Sequence, residues 1–199
     1  TRTADGSATY NLSTRPLSHL VIAVKVLNAS VKATLAQLLS GVESIDVTRF
    51  GNSIVSISGA DLYALNCAIL GAEPHQENVI NTDNATRCLP LIVPFGRRLY
   101  DPKECFPATG AGELQLKITV DIADTGYDGY IDLIEQVELP GATPDRFLKY
   151  ATKSYTPSAT GAKEVSLPKE GQYAGILLYG TTVPTTTSCT TTIDKIRLL

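Results

Sequence analysis

The stretch from residue 114 to residue 122 alternates strictly between apolar and polar side chains, and it constrains the fold more than any other part of the chain. The apolar positions are Leu114, Leu116, Ile118, Val120 and Ile122. Successive side chains of a β-strand point to opposite faces of the sheet, so this pattern predicts a strand that is buried on one face only. A sheet with one buried face needs a second layer to pack against.

A second apolar run, from Leu89 to Phe95, predicts another strand, and a loop rich in Pro and Gly joins the two. A β-sandwich passes its chain from one sheet to the other through such loops. The loop carries three basic residues, Arg97, Arg98 and Lys103. Because arginine is enriched in protein interfaces, we predict that these three residues contact another subunit. The alternatives are pairing with a nearby acid such as Glu104, or contact with phosphate or lipid headgroups.

Composition limits the classes of protein to consider. The chain has 199 residues, of which 43% are hydrophobic and 19% are charged, which is enough apolar material for a substantial core. The formal net charge is −3, whereas nucleic-acid-binding domains are usually basic, so no specific nucleic-acid partner is expected. No apolar run reaches the roughly 18 residues that a transmembrane helix requires. Residues 1–17 are polar and irregular and predict a flexible N-terminal arm, followed by a single domain over residues 18–199.

Local patterns predict the elements of the first half of the chain. Residues 19–27 predict a strand, and residues 28–41 predict a helix with Ser30 as its N-cap and Gly41 at its end. Two β-rich runs flank Gly51-Asn52, which predicts a hairpin with a two-residue type II′ turn. Residues 58–71 predict a second helix, capped by Ser58.

The second half of the chain predicts further strands. They cover residues 132–139, residues 147–155, a buried strand over residues 172–179, and a last alternating segment over residues 192–199. The count is about eight strands with two short helices inserted early. The fold class predicted from the residues is therefore an all-β sandwich.

The order of these motifs resembles a known family. The hairpin reads I-x-V-x-x-x-G-N-x-I-x-x-I, the helix after it contains D-L-x-x-L-N, and P-F-G-R opens the central loop. G-E-L-Q-L-K-I-T-V, G-I-L-L-Y and I-D-K-I-R-L follow in that order. This pattern resembles one jelly roll, the first, of the double jelly-roll major capsid proteins of tailless icosahedral viruses of bacteria.

The resemblance implies a jelly-roll β-sandwich of two packed four-stranded antiparallel sheets. It also implies a structural protein of the virion, not an enzyme, which assembles as homotrimeric capsomers with other capsid proteins over an internal viral membrane. A complete member of that family carries a second jelly roll, for which this chain is too short. The chain is therefore expected to be either a fragment or a single jelly-roll relative.

Residues 124–135 match most of a calcium-binding loop. The ligand positions are occupied by Asp124, Asp128, Tyr130, Asp132 and Glu135, with a glycine at the position of the sharp turn. Calcium prefers such hard oxygen ligands, so calcium is the one cofactor that the sequence suggests. The third position of the motif is a glycine without a ligand, and the preceding residues alternate as in a strand instead of a helix. The alternative is an ordinary turn between strands, since Asp and Gly are common in turns.

Two other functions remain open alternatives. One is a carbohydrate-binding β-sandwich, with or without calcium, although the chain has no Trp and only nine Tyr to stack on sugar rings. The other is an enzyme of the cupin type, which needs clustered His ligands. The only two histidines, His19 and His75, are far apart in the sequence, and no nucleophile motif accompanies them. We therefore predict no catalytic residues.

The four cysteines are Cys67, Cys88, Cys105 and Cys189. No two have the C-x-x-C spacing of a zinc site, and a chain of this length does not need disulfides for stability. We predict buried free thiols. A bridge between Cys88 and Cys105 across the central loop is the alternative.

Overall fold

The computed structural model describes residues 5–27, 34–76, 85–121, 130–154, 164–167 and 171–178. Contacts between Cα atoms divide the chain into two units, Thr1–Glu164 and Val165–Leu199. All the helices and strands of the described residues belong to the first unit. The single domain over residues 18–199 stays a prediction, because most of the second unit lies outside the described residues.

The first unit is mostly β. Its described strands are β1 (Gly6–Asn11), β2 (Leu17–Leu27), β3 (Val42–Arg49), β4 (Asn52–Ile57), β5 (Thr86–Pro94), β6 (Leu114–Val120), β7 (Tyr130–Glu138) and β8 (Tyr150–Ala151). The helices are α1 (Leu35–Ser40) and α2 (Gly59–Leu70), and neither is long and apolar enough to span a membrane. An all-β fold with two helices is confirmed.

The strands form two sheets of unequal size. One sheet has five strands in the order β1-β6-β3-β4-β8, and the other has three in the order β5-β2-β7. All neighbours are antiparallel except β4 and β8, which are parallel. The prediction of two four-stranded antiparallel sheets is therefore wrong for the described residues. Pairing partners depend on contacts between distant segments, which a local pattern does not specify.

The alternating stretch that began the sequence analysis is β6, at the second position of the five-stranded sheet. Its apolar members Leu114, Leu116, Ile118 and Val120 are buried, as predicted, while Ile122 lies outside the described residues. Alternate residues of β2 and β5 are buried in the same hydrophobic cluster. The two sheets therefore pack their inner faces on one core, where each fully buried Leu, Ile or Val contributes roughly 2 kcal/mol.

The prediction of a flexible arm over residues 1–17 is wrong for Gly6–Asn11. These residues form β1, whose backbone pairs with β6 from Gly6 opposite Val120 to Asn11 opposite Gln115. Every second side chain of β1 faces water, and the others are only half-buried. An edge strand of this kind has little apolar signal, which explains why its sequence resembles an arm.

Both helices end where the sequence predicts, but the first begins later. Thr34 is the N-cap of α1, and it forms a reciprocal capping box with Gln37. The predicted cap, Ser30, lies outside the described residues. Gly41 ends α1, and α2 has both predicted caps, with Ser58 accepting a hydrogen bond from the backbone of Asp61 and a left-handed Gly71.

The hairpin between β3 and β4 turns one residue earlier than predicted. Arg49 pairs with Asn52, so the turn residues are Phe50 and Gly51, with φ angles of 49° and 77°. Positive φ at both positions is typical of a type I′ turn and not of the predicted type II′ turn. The exposed Phe50 ring lies 5.5 Å from the guanidinium carbon of Arg49, and this contact stabilises an aromatic residue in the left-handed region.

Two later predictions are also wrong in part. Of residues 147–155, only Tyr150 and Ala151 form a strand. Residues 172–178 contain no strand, and their large apolar side chains are exposed. An apolar run predicts burial but does not provide the neighbouring strand that pairs its backbone. Residue 179 and the last predicted strand lie outside the described residues.

The outer edge of β5 is closed by two prolines and one asparagine. The backbone N–H of Ile92 donates to the side-chain oxygen of Asn66, and the Asn66 amide donates to the Ile92 carbonyl, both at 2.7 Å. Ile92 therefore points its backbone away from β2, as do Pro90 and Pro94, which have no N–H. From Pro90 to Pro94, no outward N–H is left for another strand to bind. Asn66 lies on α2 and is 2% exposed, so the helix covers the edge.

Candidate interaction surface

The loop between β5 and β6 packs against the segment 144–148. We call these two segments the loop cluster. The backbone N–H of Leu148 donates to the carbonyl of Phe95 at 2.8 Å, and that of Asp145 donates to the carbonyl of Lys103 at 3.0 Å. Two segments that are distant in sequence are thus fixed side by side by backbone hydrogen bonds.

A row of aromatic rings anchors the loop cluster in the core. The ring centroids of Phe95 and Phe106 are 5.2 Å apart, and those of Phe106 and Phe147 are 4.8 Å apart. Phe95 and Phe106 are fully buried, whereas Phe147 reaches the surface. Tilted ring pairs at these distances are favourable beyond the area that they bury. The exposed part of the loop cluster is therefore connected to the hydrophobic core of the fold.

Gly96 lies where the loop folds back on itself. A Cβ atom on this residue would overlap the carbonyl oxygen of Glu104, and it would come within 3.0 Å of the carbonyl carbon of Glu104 and 3.3 Å of the carbonyl oxygen of Arg98. These atoms belong to the backbone and cannot rotate away. Only glycine, which has no Cβ atom, therefore fits at position 96 without moving the backbone.

Arg97, one of the three predicted contact residues, is paired within the chain. Its Nε donates to both carboxylate oxygens of Glu104, at 2.9 and 3.0 Å. The Glu104 side chain is only 7% exposed, whereas that of Arg97 is 56% exposed. For Arg97, the structure thus shows the alternative of pairing with the nearby acid Glu104. A subunit contact at the exposed part of this side chain stays a prediction.

Tyr100 is held in the left-handed region, with φ of 65°, by contacts to β2. Its backbone N–H donates to the hydroxyl oxygen of Ser18 at 2.8 Å, and its ring meets the ring of His19 edge-on at 5.1 Å. The Ser18 hydroxyl lies 2.9 Å from Nδ1 of His19, and the tautomer of the ring decides which of the two groups donates. These contacts leave the Tyr100 side chain 61% exposed beside the basic residues.

Three basic side chains of the loop cluster are exposed and form no ion pair within the described residues. They are Arg98, Lys103 and Arg146. The sequence pattern indicated Arg98 and Lys103 but not Arg146. A backbone bridge between Glu104 and Arg146 places Arg146 beside the loop. No local pattern indicates this proximity, because the two segments are far apart in the chain.

An open cavity of about 360 Å³ lies next to these residues. It is lined by Pro107, Pro144, Asp145, Arg146 and Phe147. An aromatic ring, a carboxylate and a guanidinium group therefore meet at one depression. This combination can contact a planar or polyhydroxylated molecule, or a side chain of another protein.

The structure places part of the predicted calcium loop in a strand. Tyr130, Asp132 and Glu135 belong to β7, and Glu135 pairs with Val21 of β2. Asp124 and Asp128 lie outside the described residues. A strand rises about 3.3 Å per residue, so Glu135 lies far along the sheet instead of closing back on the loop. The calcium site stays a prediction, without the exit helix of an EF-hand.

The other candidate metal ligands do not form a cluster in the described part of the chain. Within the described residues, no group of three or more His, Cys, Asp or Glu side chains could hold a metal ion. Cys67, Cys88 and Cys105 are free thiols, as predicted, although only Cys105 is fully buried. Burial raises the pKa of the Cys105 thiol. Cys189 lies outside the described residues.

His19 makes the stability of the sheet dependent on pH. Burial lowers its pKa from the ordinary value of 6.5, and the nearby carboxylate of Glu135 opposes that shift. The unfolded chain therefore takes up the proton first, so stability is complete above the unfolded pKa and is lost as the pH falls through the folded pKa. We expect the melting temperature to decrease between about pH 7.5 and about pH 5.5.

Two variants test this pH dependence in thermal melts. His19→Gln removes the titrating ring and is expected to flatten the profile. His75→Gln replaces an exposed histidine and is expected to keep the slope of the parent. Equal slopes for all three proteins would contradict the assignment to His19.

Comparisons with known proteins add no assignment to this geometry. No protein-family model matches the chain, and no curated protein matches it significantly.

Proposed function

We propose that this protein is a structural subunit that assembles with copies of itself into a viral shell, as the jelly-roll capsid proteins of bacterial viruses do. The proposal includes a jelly-roll form of the sandwich, a homotrimeric capsomer and a location in the virion. It also includes contacts with other capsid proteins and with an internal membrane. The β-sandwich with two early helices agrees with the order of motifs that carries the resemblance.

The observation that carries the proposal is the construction of the loop cluster. Arg98, Tyr100 and Lys103 are exposed, yet the backbone beneath them is fixed by hydrogen bonds, by the aromatic row and by the Arg97–Glu104 pair. A rigid surface loses little conformational entropy when it binds. Arginine and tyrosine are also the residues that most often dominate binding energy in protein interfaces. A self-assembling subunit requires such a surface.

Light scattering after size-exclusion chromatography tests the proposal. We expect the wild-type mass to equal three chains or a multiple of three. Arg98→Glu combined with Lys103→Glu should abolish the trimer, because two favourable charges become unfavourable in every interface. A wild-type monomer at all concentrations, or an unchanged mass in the double variant, would contradict the proposal.

A matched pair of variants separates the position of a charge from its number. Lys103→Gln and Lys117→Gln each remove one exposed lysine, but Lys117 lies on β6 outside the loop cluster. We expect Lys103→Gln to weaken association by about tenfold, which corresponds to ~1.4 kcal/mol. Lys117→Gln is expected to leave the association constant unchanged.

The cavity beside the loop cluster favours a second candidate, a carbohydrate-binding module. Phe147 could stack on a sugar ring while Asp145 and Arg146 bind hydroxyl groups. A glycan-binding screen separates the two candidates. Saturable binding that Arg146→Ala weakens, in a protein that stays monomeric, would favour the module over the shell.

A further inference from the structure

β7 forms the second edge of the three-stranded sheet, opposite β5. Val21 of β2 lies opposite both Ile92 of β5 and Glu135 of β7. Ile92 points its backbone away from β2 toward Asn66, so Val21 forms its hydrogen bonds with Glu135. Backbone direction alternates along a strand, so the N–H and C=O groups of Ile134 and Gln136 point outward.

This outward row has no partner in the described part of the chain. The N–H of Leu139 donates to the carbonyl of Pro16, directly before β2, so this bond extends the pairing on the β2 side of β7. β7 contains no proline, and Leu133 beside the open row is 55% exposed. An exposed edge with free N–H and C=O groups is a template for another strand.

The two edges of the sheet are therefore different. Between Pro90 and Pro94 β5 cannot accept a strand, because the two prolines and the Asn66 side chain leave no outward N–H there. β7 can accept one. Pairing of β7 with β7 uses the same edge of both copies around a twofold axis, so it gives a closed dimer and not a filament.

We propose that β7 pairs with β7 of a second copy in antiparallel orientation, with the twofold axis at Ile134. This register places Ile134 opposite Ile134 of the copy, and it places Leu133 opposite Glu135 of the copy. The carboxylate of Glu135 then avoids its own equivalent, and the exposed Leu133 is partly covered. The result is a six-stranded sheet with a β5 strand at each end.

This register is also better than the neighbouring one. A shift of the axis to Gln136 would place Ile134 opposite Glu138 of the copy. Glu138 is already bound by the hydroxyl of Ser13 and by Arg15, which lies 3.1 Å away. The pairing at Ile134 leaves these contacts intact. The proposal goes beyond the assembly through the loop cluster and does not depend on it.

Gln136 offers a matched pair of variants for the test. Its side chain is exposed, and its side-chain oxygen accepts a hydrogen bond from the N–H of Ser13 at 2.6 Å. Gln136→Pro and Gln136→Ala both remove this bond, but only proline also removes the outward backbone N–H. The inward ladder to β2 uses Glu135 and Leu133, so it survives in both variants. Circular dichroism and melting curves check that both variants are folded.

Light scattering of the full chain provides the first measurement. In the Arg98→Glu, Lys103→Glu background we expect a dimer for Gln136→Ala and a monomer for Gln136→Pro. If the background retains a loop-cluster trimer, the proline variant should still have half the mass of the alanine variant. Equal masses for the two variants would overturn the β7 pairing, whatever the outcome for the loop cluster.

Hydrogen exchange at the amides of Ile134 and Gln136 provides the second measurement. We expect protection of both amides to increase with protein concentration, because a second copy supplies the hydrogen bonds. Protection that is the same in a dilute monomer would mean that another part of the chain covers the edge. Fast exchange at every concentration would mean that the edge stays open. Either result would overturn the proposal.

Discussion

We expect Gly96→Ala to lower the free energy of unfolding by about 3 kcal/mol. The new methyl group would overlap the carbonyl oxygen of Glu104, and the adjacent carbonyl oxygen of Arg98 also limits its position. The loop must therefore move as a whole. This movement separates Phe95 from the segment 144–148 and displaces the basic side chains. Denaturant unfolding measures the loss, and light scattering measures the accompanying loss of association.

Gly110→Ala is the matched control for this substitution. The atoms nearest to a Cβ atom at Gly110 all belong to the side chain of Glu113, which can move by giving up its 3.6 Å ion pair with Arg49 at the surface. We expect a change of at most about 0.5 kcal/mol. If both glycine variants lost the same stability, the close approach at Gly96 would not be the cause. If Gly96→Ala lost stability but associated normally, the loop cluster would not be the interface.

The second large effect is expected at Asn66. Asn66→Ala removes both hydrogen bonds to Ile92 and leaves a backbone donor and a backbone acceptor without partners beneath α2. Each unsatisfied buried group costs about 1–3 kcal/mol, so we expect a total loss of about 3 kcal/mol in the free energy of unfolding. The loss should appear in urea unfolding with an unchanged slope.

Two further variants define the mechanism at Asn66. Asn66→Asp keeps the acceptor for the Ile92 N–H but places a carboxylate against the Ile92 carbonyl, so it should be at least as destabilising as alanine. Leu70→Ala shortens a side chain on the same helix that is 42% exposed, and it is expected to cost no more than about 0.5 kcal/mol. A small effect of Asn66→Ala would mean that water replaces the amide at this edge.

Asn66→Ala also connects the stability of the sheet with its assembly. The variant reopens the Ile92 position between Pro90 and Pro94, where one N–H and one C=O become available. With prolines on both sides, a single N–H does not support a ladder. The variant should therefore lose stability without gaining a new association, which distinguishes the β5 edge from the β7 edge.

In the loop cluster, the local sequence places the basic residues, and tertiary contacts decide which of them pair with an acid. The sequence indicated the basic residues but did not show that Arg97 forms an ion pair within the described part of the chain and Arg98 does not. Arg97 forms a hydrogen-bonded ion pair with Glu104, because the loop folds back at Gly96 and brings the two side chains together. Arg98 and Lys103 remain exposed and are joined by Arg146. Arg97 and Arg98 are adjacent in sequence, so only the folded loop shows which of them is paired.

Elements whose signals are local follow from the amino-acid sequence alone. Strict alternation determined β6, because side-chain direction alternates in every strand, and Ser58 and Gly71 determined the ends of α2, because capping depends on adjacent residues. The all-β class with two early helices follows from such elements.

The tertiary structure alone decided which strands are neighbours, and it gave five and three strands instead of four and four. It also made β1 a strand and set the hairpin turn at Phe50 and Gly51. It brought Asn66 to the edge of β5 and Arg146 to the loop cluster. Each of these features depends on hydrogen bonds or packing between segments that are distant in the chain. Their energies arise only when the whole sandwich closes, so no local pattern carries them.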